Sequence, residues 1–257
     1  MIKTTVAEQK SAIQVIDRMS ALLDAIARYP RAVSLKALAA ETGLPASTAF
    51  RILSAMVEHR FVERDAAGKY QLGTKLLRLG SRVHSKIDLR AEAKPILEAL
   101  RDRLGETVNL TVREGDEVVY IEKATPDRMM HVQQLIGSRA PLHVTAVGKM
   151  MLAVGGEAEC RGYAARTNLP AYTRNTITRL QDLLTEAKRL RQRGFAYDNE
   201  EAEIGVGCIG VLIYDGTGSV VGGLSVSAPI ERREEDWIPV IIEVGRQLSE
   251  QLGYRLD

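Results

Sequence analysis

Two serines two positions apart, Ser225 and Ser227, interrupt the apolar run GGLSVSAP at residues 222–229. On a strand that spacing puts both hydroxyls on one face. If the face is buried they need partners, supplied by neighbouring backbone or by a bound ligand. A second stretch, LHVTAVGK at residues 142–149, feeds small residues into the start of a helix. The first amides of a helix have no intrahelical acceptor, which suits a carboxylate, although many helices begin this way and bind nothing. The third stretch, DNEEAE at residues 198–203, leads through IGVG to Cys208. Asn199 and Glu203 there read more readily as part of a hydrated acidic loop. We take the three stretches together as the walls of one pocket.

Other chemistries find less support. The four histidines, His59, His84, His131 and His143, are scattered without ligand spacing, so no metal is expected. Cys208 with His143 as base would make a nucleophile, and Lys149 could supply a Schiff-base amine. No spacing motif supports either, and a cysteine before an apolar strand is more simply a small buried hydrophobe. An enzyme acting covalently on a small acid through Cys208 or Lys149 is therefore the alternative reading. No cofactor is expected.

The elements that position these residues form the second half of a two-part chain. Residues 1–86 carry 14 Lys/Arg against 7 Asp/Glu, a balance of +7, whereas residues 87–257 carry 21 against 26, a balance of −5. A basic head on a mildly acidic body fits a partner with phosphates at one end only. In the body, helices are expected over residues 90–104, 146–154, 179–193 and 234–252. Strands are expected over 106–112, 117–124, 129–136, 195–199, 207–214 and 220–227. Interleaved in this order they predict a mixed α/β or α+β body and not a helical bundle.

In the head, SLKALAAETGLPASTAFR at residues 34–51 reads as helix, turn, helix. Ser34 is an N-cap, Gly43 a helix stop, Leu44 a core plug and Pro45 the opening of the second helix. Ala49, Ile52, Leu53 and Met56 share one face of that helix, leaving Ser47, Thr48 and Arg51 on another. Short hydroxyls suit phosphates and base edges, and an arginine reaches guanine O6 and N7 as a fork. Residues 61–72 alternate around DAAG as a hairpin, with Arg64 and Lys69 near its tip. Helix, turn, helix and wing together predict a winged helix-turn-helix on duplex DNA. An ordinary helical hairpin beside a ribbon is the plainer alternative. An amphipathic helix at residues 12–28 would pack beneath, and residues 74–86 would form a connecting helix. Two cysteines give no disulfide framework, and neither a signal peptide nor a membrane span is visible, so the expected setting is the cytoplasm.

Over residues 9–254 the chain resembles the IclR-type bacterial transcription regulators. The resemblance is carried by TGLPASTAFRIL (42–53), YQLG (70–73), PLHVTAVGKMMLA (141–153), RGFAYDNEEAEIGVGCIGV (193–211) and GGLSVSAP (222–229), in order. It implies a DNA-binding domain at residues 1–73, a linker helix at 74–88, and a GAF-like effector-binding and oligomerisation domain with a curved antiparallel sheet at 89–257. It also implies a small organic acid as effector, a homodimer or dimer of dimers, and a pseudo-palindromic operator. Carried over by motif, the acid's carboxylate would meet the amides of Ala146 and Val147. Asp198, Cys208, Ser225 and Ser227 would line the polar end and Val206 an apolar wall. Where this chain has Val147 the family has a smaller residue, which changes the shape of the carboxylate end. The segments GSRAPLHVTAVGK and EGDEVVYIEK resemble the sugar-acid-responsive branch.

Overall fold

The computed structural model describes residues 14–84 and 88–255. The chain divides into two compact units, Met1–Lys86 and Ile87–Asp257. The expected start of the first helix at residues 12–13 and the junction at 85–87 lie outside the described residues.

The first unit comprises α1 (Gln14–Ala27), α2 (Leu35–Thr42), α3 (Ala46–Glu58), the hairpin β1 (Val62–Arg64) with β2 (Tyr70–Leu72), and α4 (Thr74–His84). Ser34 caps α2 by accepting from the Ala37 amide at 3.3 Å, which satisfies one of the orphan donors of a helix start. At the other end Gly43 takes φ 66°, the left-handed conformation that a β-carbon would resist. Leu22 and Ile26 of α1, Leu38 of α2, and Ala49, Leu53 and Met56 of α3 close over Val62 and Tyr70 in one core. Pro45 sits one residue earlier than expected. It is the N-cap of α3, and its carbonyl accepts from the Thr48 and Ala49 amides.

The second unit holds a six-stranded sheet whose neighbouring strands are all antiparallel. Its strands are β3 (Thr107–Glu114), β4 (Glu117–Ala124), β5 (Arg139–Pro141), β6 (Ala196–Asn199), β7 (Val206–Tyr214) and β8 (Val220–Pro229), in the order β5-β4-β3-β8-β7-β6. Register shifts at Leu110/Thr111 and Ile213/Tyr214 mark bulges, which bend strands and increase twist. The helices are α5 (Leu89–Leu104), α6 (Ala146–Thr167), α7 (Leu180–Arg193) and α8 (Trp237–Gln251). Val108, Leu110, Ile209, Val211, Leu224 and Val226 face α5 and α8 in one core. The opposite face packs under α6 and α7 through Val118, Leu212 and Ala196.

Two expectations fail here. Residues 129–136 form no strand; Met129, Met130, Leu135 and Ile136 are exposed, and Arg139–Pro141 pairs with β4 instead. The helix expected to end at residue 154 runs on to Thr167. Gly156, at φ 85° and ψ −172°, kinks it without ending it, because Cys160 and Tyr163 beyond the kink are fully buried.

Candidate functional site

On the α6 face of the sheet, polar side chains line up across neighbouring strands. Asp198 pairs with Cys208, Cys208 with Ser227, and Ser227 with Thr107. One step along the same face, Gly210 pairs with Ser225 and Ser225 with Asn109. This is the period-2 alternation of β-structure, with the apolar residues between them turned to the other core. Thr145 caps the helix above by accepting from the Gly148 amide at 3.1 Å. Helix geometry leaves the Ala146 and Val147 amides without intrahelical acceptors.

The start of α6 comes very close to the sheet. A β-carbon on Gly223 would stand 2.2 Å from Val147 Cγ1, and one on Gly210 would stand 3.0 Å from both Ala146 Cβ and Val147 Cγ2. Beside this contact lies a cavity with about 70 Å³ of room for water centres. Ala146, Val147, Asp198, Val206, Cys208 and Ser225 line it, six of the seven effector residues expected from sequence. Ser227 is not on its wall. Its hydroxyl accepts from Asn109 Nδ2 at 3.1 Å and lies 3.2 Å from Cys208 Sγ, so it braces the wall from within. Asn109 Oδ1 is buried without a partner among the described residues.

Sequence reasoning missed Thr111, Val118, Tyr120, Gln134 and Ala140 on the same wall, whereas Thr145, Ala202 and Glu203 there belong to stretches it had named. A signal for the first was present, since TVNLT at residues 107–111 alternates polar and apolar residues within a buried strand. For Gln134, placed by an unpaired segment, no such signal existed.

The acidic run is not a hydrated loop throughout. Asp198 is 3% exposed, and its Oδ1 accepts from the Glu201 amide at 2.7 Å. Burial pushes its pKa up to about 6 against the opposing pull of that bond. Glu201 forms a buried ion pair with Lys149 one turn into α6, and it also accepts from the Asn199 amide at 3.2 Å. The Thr173 and Thr176 hydroxyls donate to the carbonyls of Glu200 and Glu201, each at 2.7 Å. Asn199 and Glu203 are exposed, and Glu203 also stands on the cavity wall. Burial and the Asp198 charge hold the Cys208 thiol well above its ordinary value, which opposes a thiolate nucleophile. His143 is fully buried between the Tyr163 hydroxyl (2.7 Å) and the Pro170 carbonyl (3.0 Å), away from Cys208's row, and burial lowers its pKa.

In the first unit, Ser47 and Arg51 are exposed on α3, and Thr48 is half-buried. Arg64 folds back on its own turn, donating to the Gly68 carbonyl at 3.2 Å beneath the Tyr70 ring, whereas Lys69 is exposed. Ser34 is exposed, with its oxygen occupied as a cap. Phe50 and Ser54, unmarked in the sequence reading, complete the exposed face.

A basic winged helix-turn-helix joined to a sheet domain with a small cavity lined by both apolar and polar side chains defines a DNA-binding regulator. The chain belongs to the IclR family of bacterial transcriptional regulators. The family model described as bacterial transcriptional regulator IclR C-terminal matches residues 81–254, and that of the IclR helix-turn-helix domain matches 15–66. The transcriptional repressor AllR of Salmonella typhi is 32% identical over 252 residues, 96% of this chain and 92% of its own. The Agobacterium tumefaciens repressor BlcR is 30% identical with a TM-score of 0.73, over 95% of this chain and 99% of its own. An IclR homologue of Microbacterium hydrocarbonoxydans, crystallised with 4-hydroxybenzoate, shares the fold at 24% identity and a TM-score of 0.60, over 93% and 98% of the two chains. These relatives are regulators and not enzymes. Among the described residues no helix is long and apolar enough to cross a membrane.

Proposed function

We propose that the protein is a ligand-responsive regulator whose operator binding or transcriptional output is set by a small organic acid in the cavity at the start of α6. The observation that carries this reading is the meeting of the first two residues of α6, whose amides have no intrahelical acceptor, with Asp198, Cys208 and Ser225 around one cavity. The amides hold the carboxylate in charge-assisted bonds, stronger than neutral ones. A hydroxyl or keto oxygen on the acid faces Asp198, accepting from it when it is protonated or, for a hydroxyl, donating when it is ionised. A cavity of about 70 Å³ suits a small acid. The complex of a same-fold protein with 4-hydroxybenzoate supports an acid as the ligand class.

On DNA, α3 enters the major groove, Arg51 reads a base edge, and Lys69 reaches a phosphate from the wing. The protein acts as a homodimer or dimer of dimers on a pseudo-palindromic operator, with α4 as the element that transmits the change.

The test is a thermal-shift screen of the full chain against keto-, hydroxy-, sugar and aromatic acids, repeated with Ser225→Ala and Ser227→Ala. A short acid that raises the melting temperature of wild type, and fails to do so with Ser225→Ala, is the expected result. No stabilisation by any acid, or an unchanged response with Ser225→Ala, would remove the cavity from the reading.

A further inference from the structure

Phe50 is an exposed aromatic ring on α3 that neither the core of the DNA-binding unit nor the readings above account for. The other two phenylalanines of the chain are engaged: Phe61 packs on the helical core, and Phe195 meets Tyr197 edge-on. Phe50 is 46% exposed, and among the described residues no ring or cation stacks on it. Its position in the helix is informative. Ser47, Phe50, Arg51 and Ser54 recur at spacings of three and four and are exposed or nearly so, while Ala49, Leu53 and Met56 are buried on the opposite side. The benzyl group therefore stands in the middle of a stripe of hydroxyls and an arginine, on the face turned away from the protein. Such a stripe in a helix-turn-helix of an established DNA-binding family lies against base edges. Hydroxyls and guanidinium can find hydrogen-bond partners there; a phenyl ring cannot. The apolar group that the major groove offers is the C5 methyl of thymine, which the other three bases lack.

We infer that Phe50 is a specificity-determining residue that packs on a thymine methyl beside the base read by Arg51. The inference rests on α3 being the helix that enters the groove. Arg51, one position on, keeps the two ideas separable.

The experiment uses the full chain and a duplex chosen by it from a random-sequence library. Each thymine of the half-site is then replaced by deoxyuridine, which removes only the methyl and preserves pairing. Affinities are measured by fluorescence anisotropy at one salt concentration for wild type, Phe50→Ala, Phe50→Leu and Arg51→Ala. At one thymine per half-site, deoxyuridine should weaken wild type about fourfold, the value expected from exposing one buried methyl. Phe50→Ala should be weakened on the thymine duplex and lose nothing further on deoxyuridine. Phe50→Leu should keep part of the methyl sensitivity, and Arg51→Ala should bind weakly while keeping all of it. Wild-type indifference to every replacement would overturn the proposal, as would a Phe50→Ala protein that stays as methyl-sensitive as wild type. If Arg51→Ala binds as wild type does, the groove assignment of α3 fails instead. Equal melting temperatures of Phe50→Ala and wild type check that the exposed ring holds no core together.

Discussion

Asp198 is a carboxyl group that the fold tolerates at a cost. Its burial is offset only in part, by a backbone amide and the more distant Lys149 charge, so its pKa rises from 3.8 to about 6. Because the folded value is the higher one, this group favours folding most below the unfolded pKa. That contribution is lost as pH rises through about 6, amounting to about 3 kcal/mol at alkaline pH. Asp198→Asn keeps an oxygen for the Glu201 amide and has no charge to bury. Its melting temperature should therefore exceed that of wild type at pH 8, and the gap should shrink or vanish at pH 5. The same charge repels an anionic ligand. Affinity for an acid effector should tighten as pH falls from 7.5 to 5.5 in wild type and stay flat in Asp198→Asn, which isothermal titration at several pH values would show. A residue that weakens the empty protein in this way is a candidate for function over scaffold.

Elements differ in how openly their sequences announced them. The helix-turn-helix was legible because each boundary has a local cause: a serine cap, a left-handed glycine, and an apolar set at helical period. The length of α6 was not, since Gly155-Gly156 looks like a stop and the residues that hold the second half, Cys160 and Tyr163, owe their burial to distant packing. Residues 129–136 are apolar enough for a strand, yet β5 occupies the available edge of β4. The polar wall was half legible, since Ser225 and its spacing to Ser227 stood out, while burial of the acidic run depends on Lys149 more than fifty positions away. That ion pair fastens the 200–205 loop to the first turn of α6. Lys149→Met would leave Glu201 charged and buried and should cost about 3–5 kcal/mol of stability. Lys149→Met with Glu201→Leu should recover most of it, as denaturant melts of the single and double variants would reveal.

The whole molecule joins a unit of charge +7 to one of −5, so the long-range attraction to DNA originates in the smaller part. The two ligands proposed for it, DNA and a small acid, would occupy different units, and any influence between them obeys linkage. If the acid changes operator affinity by some factor, a saturating operator duplex must change the acid's affinity by the same factor. Paired titrations, acid into protein with and without duplex, would measure this. Equal acid affinities in the two titrations would mean that the acid acts on transcription after DNA is bound, and not through operator affinity. The close approach of Gly223 and Val147 ties together two distant parts of the chain. With 2.2 Å between a carbon added at Gly223 and an existing methyl of Val147, position 223 cannot grow while Val147 keeps its place. A side chain at residue 223 would therefore have to displace a residue 76 positions away in sequence, and would still crowd the Val211 carbonyl at 3.0 Å.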